Sequence, residues 1–128
     1  MAVLATGCAS QPTLVRVDFE MRDKPADRQI EVVYQNAQKN PMCLLPEHWP
    51  NVAGKINQAS DLVFLVVEGR RFPIENFNTG YCPKGCSTRV KPGEQQSARI
   101  AYADFGLPQE LYGAPKRLEF APMAYACR

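Results

Sequence analysis

Residues 13–20 place Val15, Val17 and Phe19 against Arg16, Asp18 and Glu20, the period of two that gives a strand one apolar and one polar face. The charged stretch 21–28, which contains Lys24-Pro25, predicts a surface turn; 29–36 resumes the alternation with Ile30, Val32 and Tyr34 on one side. A polar loop over 36–41 leads to the short apolar run Met42-Cys43-Leu44-Leu45, a brief strand closed by Pro46. Residues 46–50, Pro-Glu-His-Trp-Pro, read as a rigid, solvent-facing loop, and 51–61, with Gly54 and no clean apolar stripe, as more loop. The nearly unbroken run of Leu, Val and Phe at 62–68 is the strongest strand signal, as expected for deep burial. Gly69 ends it. Residues 70–77 then return as a hairpin partner carrying Phe72 and Ile74, confined to an edge or a bulge by Pro73.

The second half continues in short units. Residues 87–91 form a polar strand, and Pro92-Gly93 is the favoured middle pair of a type II turn. Ala98, Ile100 and Tyr102 then share one face of 97–102. Residues 107–113 carry Pro108 at the start and Gly113 at the stop of a single helical turn. The last extended segment covers 117–120 and 123–127, broken at Pro122. Seven or eight short strands with no helix long enough for a crossover predict an all-β, antiparallel sandwich or barrel.

Composition narrows the class. With 128 residues, 45% hydrophobic and 22% charged, the chain suits one globular domain, assigned to 13–128, with 1–12 set apart as leader and tether. Eleven Pro and eight Gly exclude long helices. A net charge of only +2 gives no reason to expect a nucleic-acid partner, and the chain is expected to be a monomer. His48 is the sole histidine, so any Ser-His or Cys-His mechanism has to use it, and no nucleophile motif surrounds Ser60, Ser87 or Ser97. Asp18 and Glu20 share a polar strand face, which implies solvation rather than acid–base work. No phosphate-cradling glycine pattern is present. The expectation is a non-enzymatic protein without a cofactor; a small hydrolase built around His48 is the rival.

The first ten residues, Met-Ala-Val-Leu-Ala-Thr-Gly-Cys-Ala-Ser, are small or apolar and uncharged, and Ala5-Thr6-Gly7 directly precedes Cys8. This resembles a bacterial lipobox, in which the cysteine becomes the lipidated first residue of the mature protein; Met1 is then expected to lie inside a longer signal. The resemblance implies a periplasmic or outer-membrane location, with the membrane engaged only through lipid on Cys8. Five cysteines leave one over once disulfides form, and setting Cys8 aside leaves four. Cys43, Cys82, Cys86 and Cys127 allow three connectivities. We favour Cys82 with Cys86 across Pro83-Lys84-Gly85, and Cys43 with Cys127. A zinc site or a redox dithiol is the weaker reading, because only Cys82 and Cys86 are close and their spacing is Cys-x-x-x-Cys.

The stretch from Val90 to Phe105, with Val-Lys-Pro-Gly-Glu running into alternating Ala98, Ile100 and Tyr102, is similar to the later strands of bacterial immunoglobulin-like domains. That resemblance implies a sandwich of seven or eight strands used for envelope binding, assembly or inhibition, and it carries over no catalytic residue. Over 66–91, Arg70, Arg71, Lys84, Arg89 and Lys91 stand against Glu68 and Glu75, a local +3. Arginine and aromatic side chains dominate contact hot spots. The candidate binding surface is therefore Trp49, Arg70, Arg71, Tyr81 and Lys84, with Phe72 and Phe77 assigned to the core. The expected function is an envelope lipoprotein domain that binds a protein or cell-wall partner. The alternative is a periplasmic or secreted inhibitor of a lysozyme or protease, presenting the loop 76–87.

Overall fold

The computed structural model describes residues 13–45, 48–51, 54–56, 63–75 and 88–127. Ten strands occur among them: β1 Val15–Arg16, β2 Glu20–Lys24, β3 Gln29–Gln35, β4 Met42–Leu44, β5 Phe64–Val67, β6 Arg70–Pro73, β7 Thr88–Val90, β8 Gln95–Ala101, β9 Lys116–Glu119 and β10 Met123–Ala126. They form three antiparallel sheets, ordered β1-β10-β4-β7, β2-β3-β8 and β6-β5-β9. The other helical pieces among the described residues are single 3-10 turns at Pro25–Asp27, Tyr102–Phe105 and Gln109–Leu111. The fold is all-β and antiparallel, as the alternation predicts.

The count of ten exceeds the expected seven or eight, and the main reason lies at 20–28. The supposed turn is strand β2, whose Glu20, Arg22 and Lys24 lie on one face and Met21 and Asp23 on the other. Only Met21 among these five is apolar, so hydropathy misses the strand. Backbone pairing to β3 in the register Glu20↔Val33 to Lys24↔Gln29 supplies what the side chains do not advertise. The turn itself is shorter than expected: Arg28, in the left-handed region at φ 55°, donates its N–H to the Pro25 carbonyl at 3.0 Å. Conversely, the strand expected over 13–20 shrinks to Val15–Arg16, and Val15 is 41% exposed instead of inward. A two-residue strand on a sheet edge has too little partner surface to bury its valine.

All three sheets line one core: Ile30, Val32, Tyr34 and Ile100 from the first pair of long strands, Met42, Leu44, Val90 and Ala124 from the four-stranded sheet, and Leu65, Val67 and Leu118 from the third. In β5 the continuous apolar run resolves into alternation, with Leu65 and Val67 fully buried and Phe64 and Val66 only half-buried. The β5-β6 hairpin closes through Glu68-Gly69, at φ 53° and 75°, between the paired Val67 and Arg70. Positive φ at both turn residues is the type I′ geometry that matches strand twist. β6 sits on the sheet edge, where Pro73 is tolerated.

The loop expected to face solvent at 46–50 turns inward at its described residues, since Trp49 and Pro50 are both buried. The His48 N–H is bonded to the Leu45 carbonyl at 3.0 Å, and the Trp49 ring lies 6.1 Å from that of Phe120, which in turn meets Phe19 at 5.1 Å. An indole removes a large apolar area from water when it packs in this way. Ile56, inside the expected loop 51–61, is fully buried too.

The chain passes three times between the first and second sheets, from β1 to β2, from β3 to β4 and from β7 to β8, and Asn36 ties the last two crossings together. This residue is completely buried. Its Nδ2 donates to the carbonyls of Asn40 at 2.9 Å and Val90 at 2.8 Å, and its Oδ1 accepts from the Gln38 N–H at 2.8 Å. Its backbone exchanges bonds with the 91–94 turn, Asn36 N–H to Glu94 at 2.9 Å and Gly93 N–H to Asn36 at 2.8 Å. Gly93, at φ 80°, takes the conformation that a type II turn demands.

Candidate functional site

Strand periodicity sorts the arginines of the hairpin. Neighbouring residues on a strand point to opposite faces, so Arg70 and Arg71, expected as one patch, diverge. Arg70 stands over the Phe72 ring, 4.9 Å from its centroid, at the rim of the core side. Arg71 lies on the outer face with its guanidinium 3.9 Å above the Phe64 ring.

Across that outer face the register builds two rows. Arg71, Val66 and Arg117 stand side by side on β6, β5 and β9, and Pro73, Phe64 and Glu119 form the next row. Glu119 holds both arginines. Its Oε1 accepts from Arg71 Nε at 2.9 Å and Nη2 at 2.8 Å, and its Oε2 accepts from Arg117 Nη1 at 3.3 Å. The Arg71 hydrogen bond foremost, with Arg117 assisting, keeps the Glu119 carboxyl below the ordinary glutamate value of 4.5. The Arg71 and Arg117 side chains remain 56% and 66% exposed. Sequence reading reached Arg71 but not Phe64, Arg117 or Glu119, although period-two alternation on β5 and β9 was the signal that these face outward.

Of the other residues expected to join the patch, Trp49 lies among the described residues. Trp49 belongs to the core and not to the surface. Tyr81 and Lys84 lie outside the described residues, as do Cys8, Cys82 and Cys86. Cys43 and Cys127 are bonded, with Cα atoms 5.4 Å apart, within the range a disulfide requires. Cys43 sits in the middle of β4 beside β10, and the Cys127 N–H donates to the Pro41 carbonyl at 2.9 Å.

One other concentration of charge lies inside the molecule. Lys116 has a fully buried side chain, and its ammonium donates to Asp23 Oδ2 at 2.7 Å and to the carbonyls of Tyr112 and Ala114 at 2.6 and 2.9 Å. Tyr102 donates its hydroxyl to the other Asp23 oxygen, and the ammonium stands 4.7 Å from the Tyr102 ring centroid. Burial, then the Asp23 carboxylate, push the Tyr102 phenol well above its usual range. All three ammonium protons have acceptors. The cluster therefore pins β2 to β9 and offers no free nucleophile. His48 Nδ1 and Trp49 Nε1 are buried without a hydrogen-bond partner among the described residues, and no group of three or more His, Cys, Asp or Glu there is arranged to hold a metal ion.

No helix among the described residues is long and apolar enough to cross a membrane. No family model, curated protein or solved structure matches this chain.

Proposed function

We propose that this chain is a non-enzymatic binding module of the bacterial cell envelope, exported, held on a membrane by lipid at Cys8, and built as an immunoglobulin-like sandwich. The observation that carries the reading is the Cys43–Cys127 disulfide, which joins the centre of β4 to the residue that follows β10, across 84 residues of sequence. Such bonds persist in oxidising compartments and are rare in the cytosol. Support for the anchor comes from Ala5-Thr6-Gly7 before Cys8. Support for the sandwich comes from three antiparallel sheets sharing one core. The exposed pair Arg71 and Arg117, oriented by Glu119, supports a binding role for the outer face of β6-β5-β9.

The test is to express the gene with its native leader in a bacterial host and measure intact mass and fractionation. A diacylglycerol mass increment on Cys8, together with release of Cys8→Ser from the membrane fraction, is the expected result. An unmodified Cys8 in a chain that stays cytoplasmic, with all five thiols reactive after denaturation without reductant, overturns it. Stoichiometric inhibition of a lysozyme or protease by the lipid-free domain would reassign the module as an inhibitor.

A further inference from the structure

We propose that the outer face of the β6-β5-β9 sheet binds an acidic segment of a protein partner, seating one partner carboxylate over Val66 between Arg71 and Arg117. The inference rests on the binding-module reading and names the chemistry of its partner. Arg71 and Arg117 are both register partners of Val66, so their strands lie two spacings apart, about 9–10 Å. Glu119 occupies one side of this gap and takes two N–H groups from Arg71 and one from Arg117. Among the described residues, two guanidiniums against one carboxylate leave one positive charge uncompensated, with further donor N–H groups beyond those given to Glu119. A second carboxylate in the row of Val66 completes the square. Guanidinium–carboxylate pairing of this kind is directional and strong for a surface contact.

The site is also prepared before any partner arrives. Arg71 is stacked on Phe64 and tied to Glu119, so less side-chain freedom is lost on binding than for a free arginine. Half-buried Val66 and Phe64 supply an apolar floor, which suits an aliphatic side chain next to the bound carboxylate. A protein segment fits this better than an anionic membrane. Surface attraction to lipid accrues from several basic residues at about 1 kcal/mol each, whereas this face has a single surplus charge beside an apolar strip.

The probe is a fluorescein-labelled acetylated peptide of alternating Glu and Val, followed by fluorescence anisotropy with the whole domain. Saturable binding that weakens with salt is expected, falling at least tenfold in the Arg71→Gln/Arg117→Gln variant. It should stay within twofold of the parent in Arg22→Gln/Arg99→Gln, whose arginines belong to the β2-β3-β8 sheet. Circular dichroism confirms that each variant is folded, and amide shift changes in the parent should centre on Val66 and Arg117. Absence of binding, equal binding by the Arg71/Arg117 variant, or shifts centred elsewhere overturns the proposal. So does a face that takes up phosphatidylglycerol vesicles through these arginines while ignoring the peptide. Because Cys8 processing is read separately by mass and fractionation, loss of peptide binding in a chain that is lipidated removes only this inference.

Discussion

Single residues carry two of the strongest constraints on this fold, and both are polar. Asn36 uses its side-chain amide as donor twice and as acceptor once while wholly buried. Replacing it with Ala leaves the Val90 carbonyl among those deprived of their donor, at about 1–3 kcal/mol for each buried group left unsatisfied. Asn36→Ala should therefore lose roughly 3 kcal/mol in urea unfolding, with the loss read from the midpoint at unchanged slope. Tyr102 shapes the alkaline limit. Its phenol is held protonated in the folded state above the ordinary value of 10.0, so its contribution is complete below that value and is lost as pH rises through the higher folded one. Thermal unfolding should show stability falling from about pH 10 upward, less steeply in Tyr102→Phe. At neutral pH that variant should already be weaker by about 1–3 kcal/mol, because Asp23 Oδ1 loses its donor.

Among the elements, legibility in the sequence followed hydrophobic contrast. β3, β5 and β8 announce themselves by alternating or continuous Ile, Val, Leu, Phe and Ala, β4 by the apolar run Met42-Cys43-Leu44, β6 by Phe72 after two arginines and β9 by Leu118 between polar neighbours, and the structure places strands there. β2 was invisible because Glu20-Met21-Arg22-Asp23-Lys24 has one apolar residue. Its inward Asp23 is tolerated only because Lys116 and Tyr102, 93 and 79 positions away, meet it. Trp49 misled in the opposite direction: flanking prolines mark a loop, but the loop packs its indole against Phe120. The β5-β6 turn was legible at Gly69 and left Glu68 strained, since a residue with Cβ is held at φ 53°. Glu68→Asn creates the favoured Asn-Gly pair for this geometry. It should raise stability by about 0.5–1 kcal/mol in denaturant titration, without altering the outer-face arginines.

At the scale of the whole molecule, the disulfide dominates. A loop of this length, 84 residues apart in sequence, corresponds to about 4.5 kcal/mol by the chain-entropy estimate. A Cys43→Ser/Cys127→Ser variant should lose stability of that order, about 4.5 kcal/mol, measured by calorimetry against the oxidised parent. Since small domains stand only about 5–15 kcal/mol above their unfolded chains, the reduced protein should be near the edge of folding at physiological temperature.

The amino-acid order alone determined the all-β class, most strand positions, the confinement of β6 to an edge or a bulge, and the Pro92-Gly93 turn. Each of these depends on local periodicity or fixed φ preferences, which short stretches of chain contain in full, whereas the choice among the three cysteine pairings waited on the fold. Only the tertiary structure decided that the ten strands among the described residues form three sheets, that Trp49 faces inward, that Arg70 and Arg71 part company, and that Arg117 and Glu119 join Arg71 over Phe64. Those outcomes depend on register between strands far apart in sequence, where one residue of shift exchanges the buried and exposed faces.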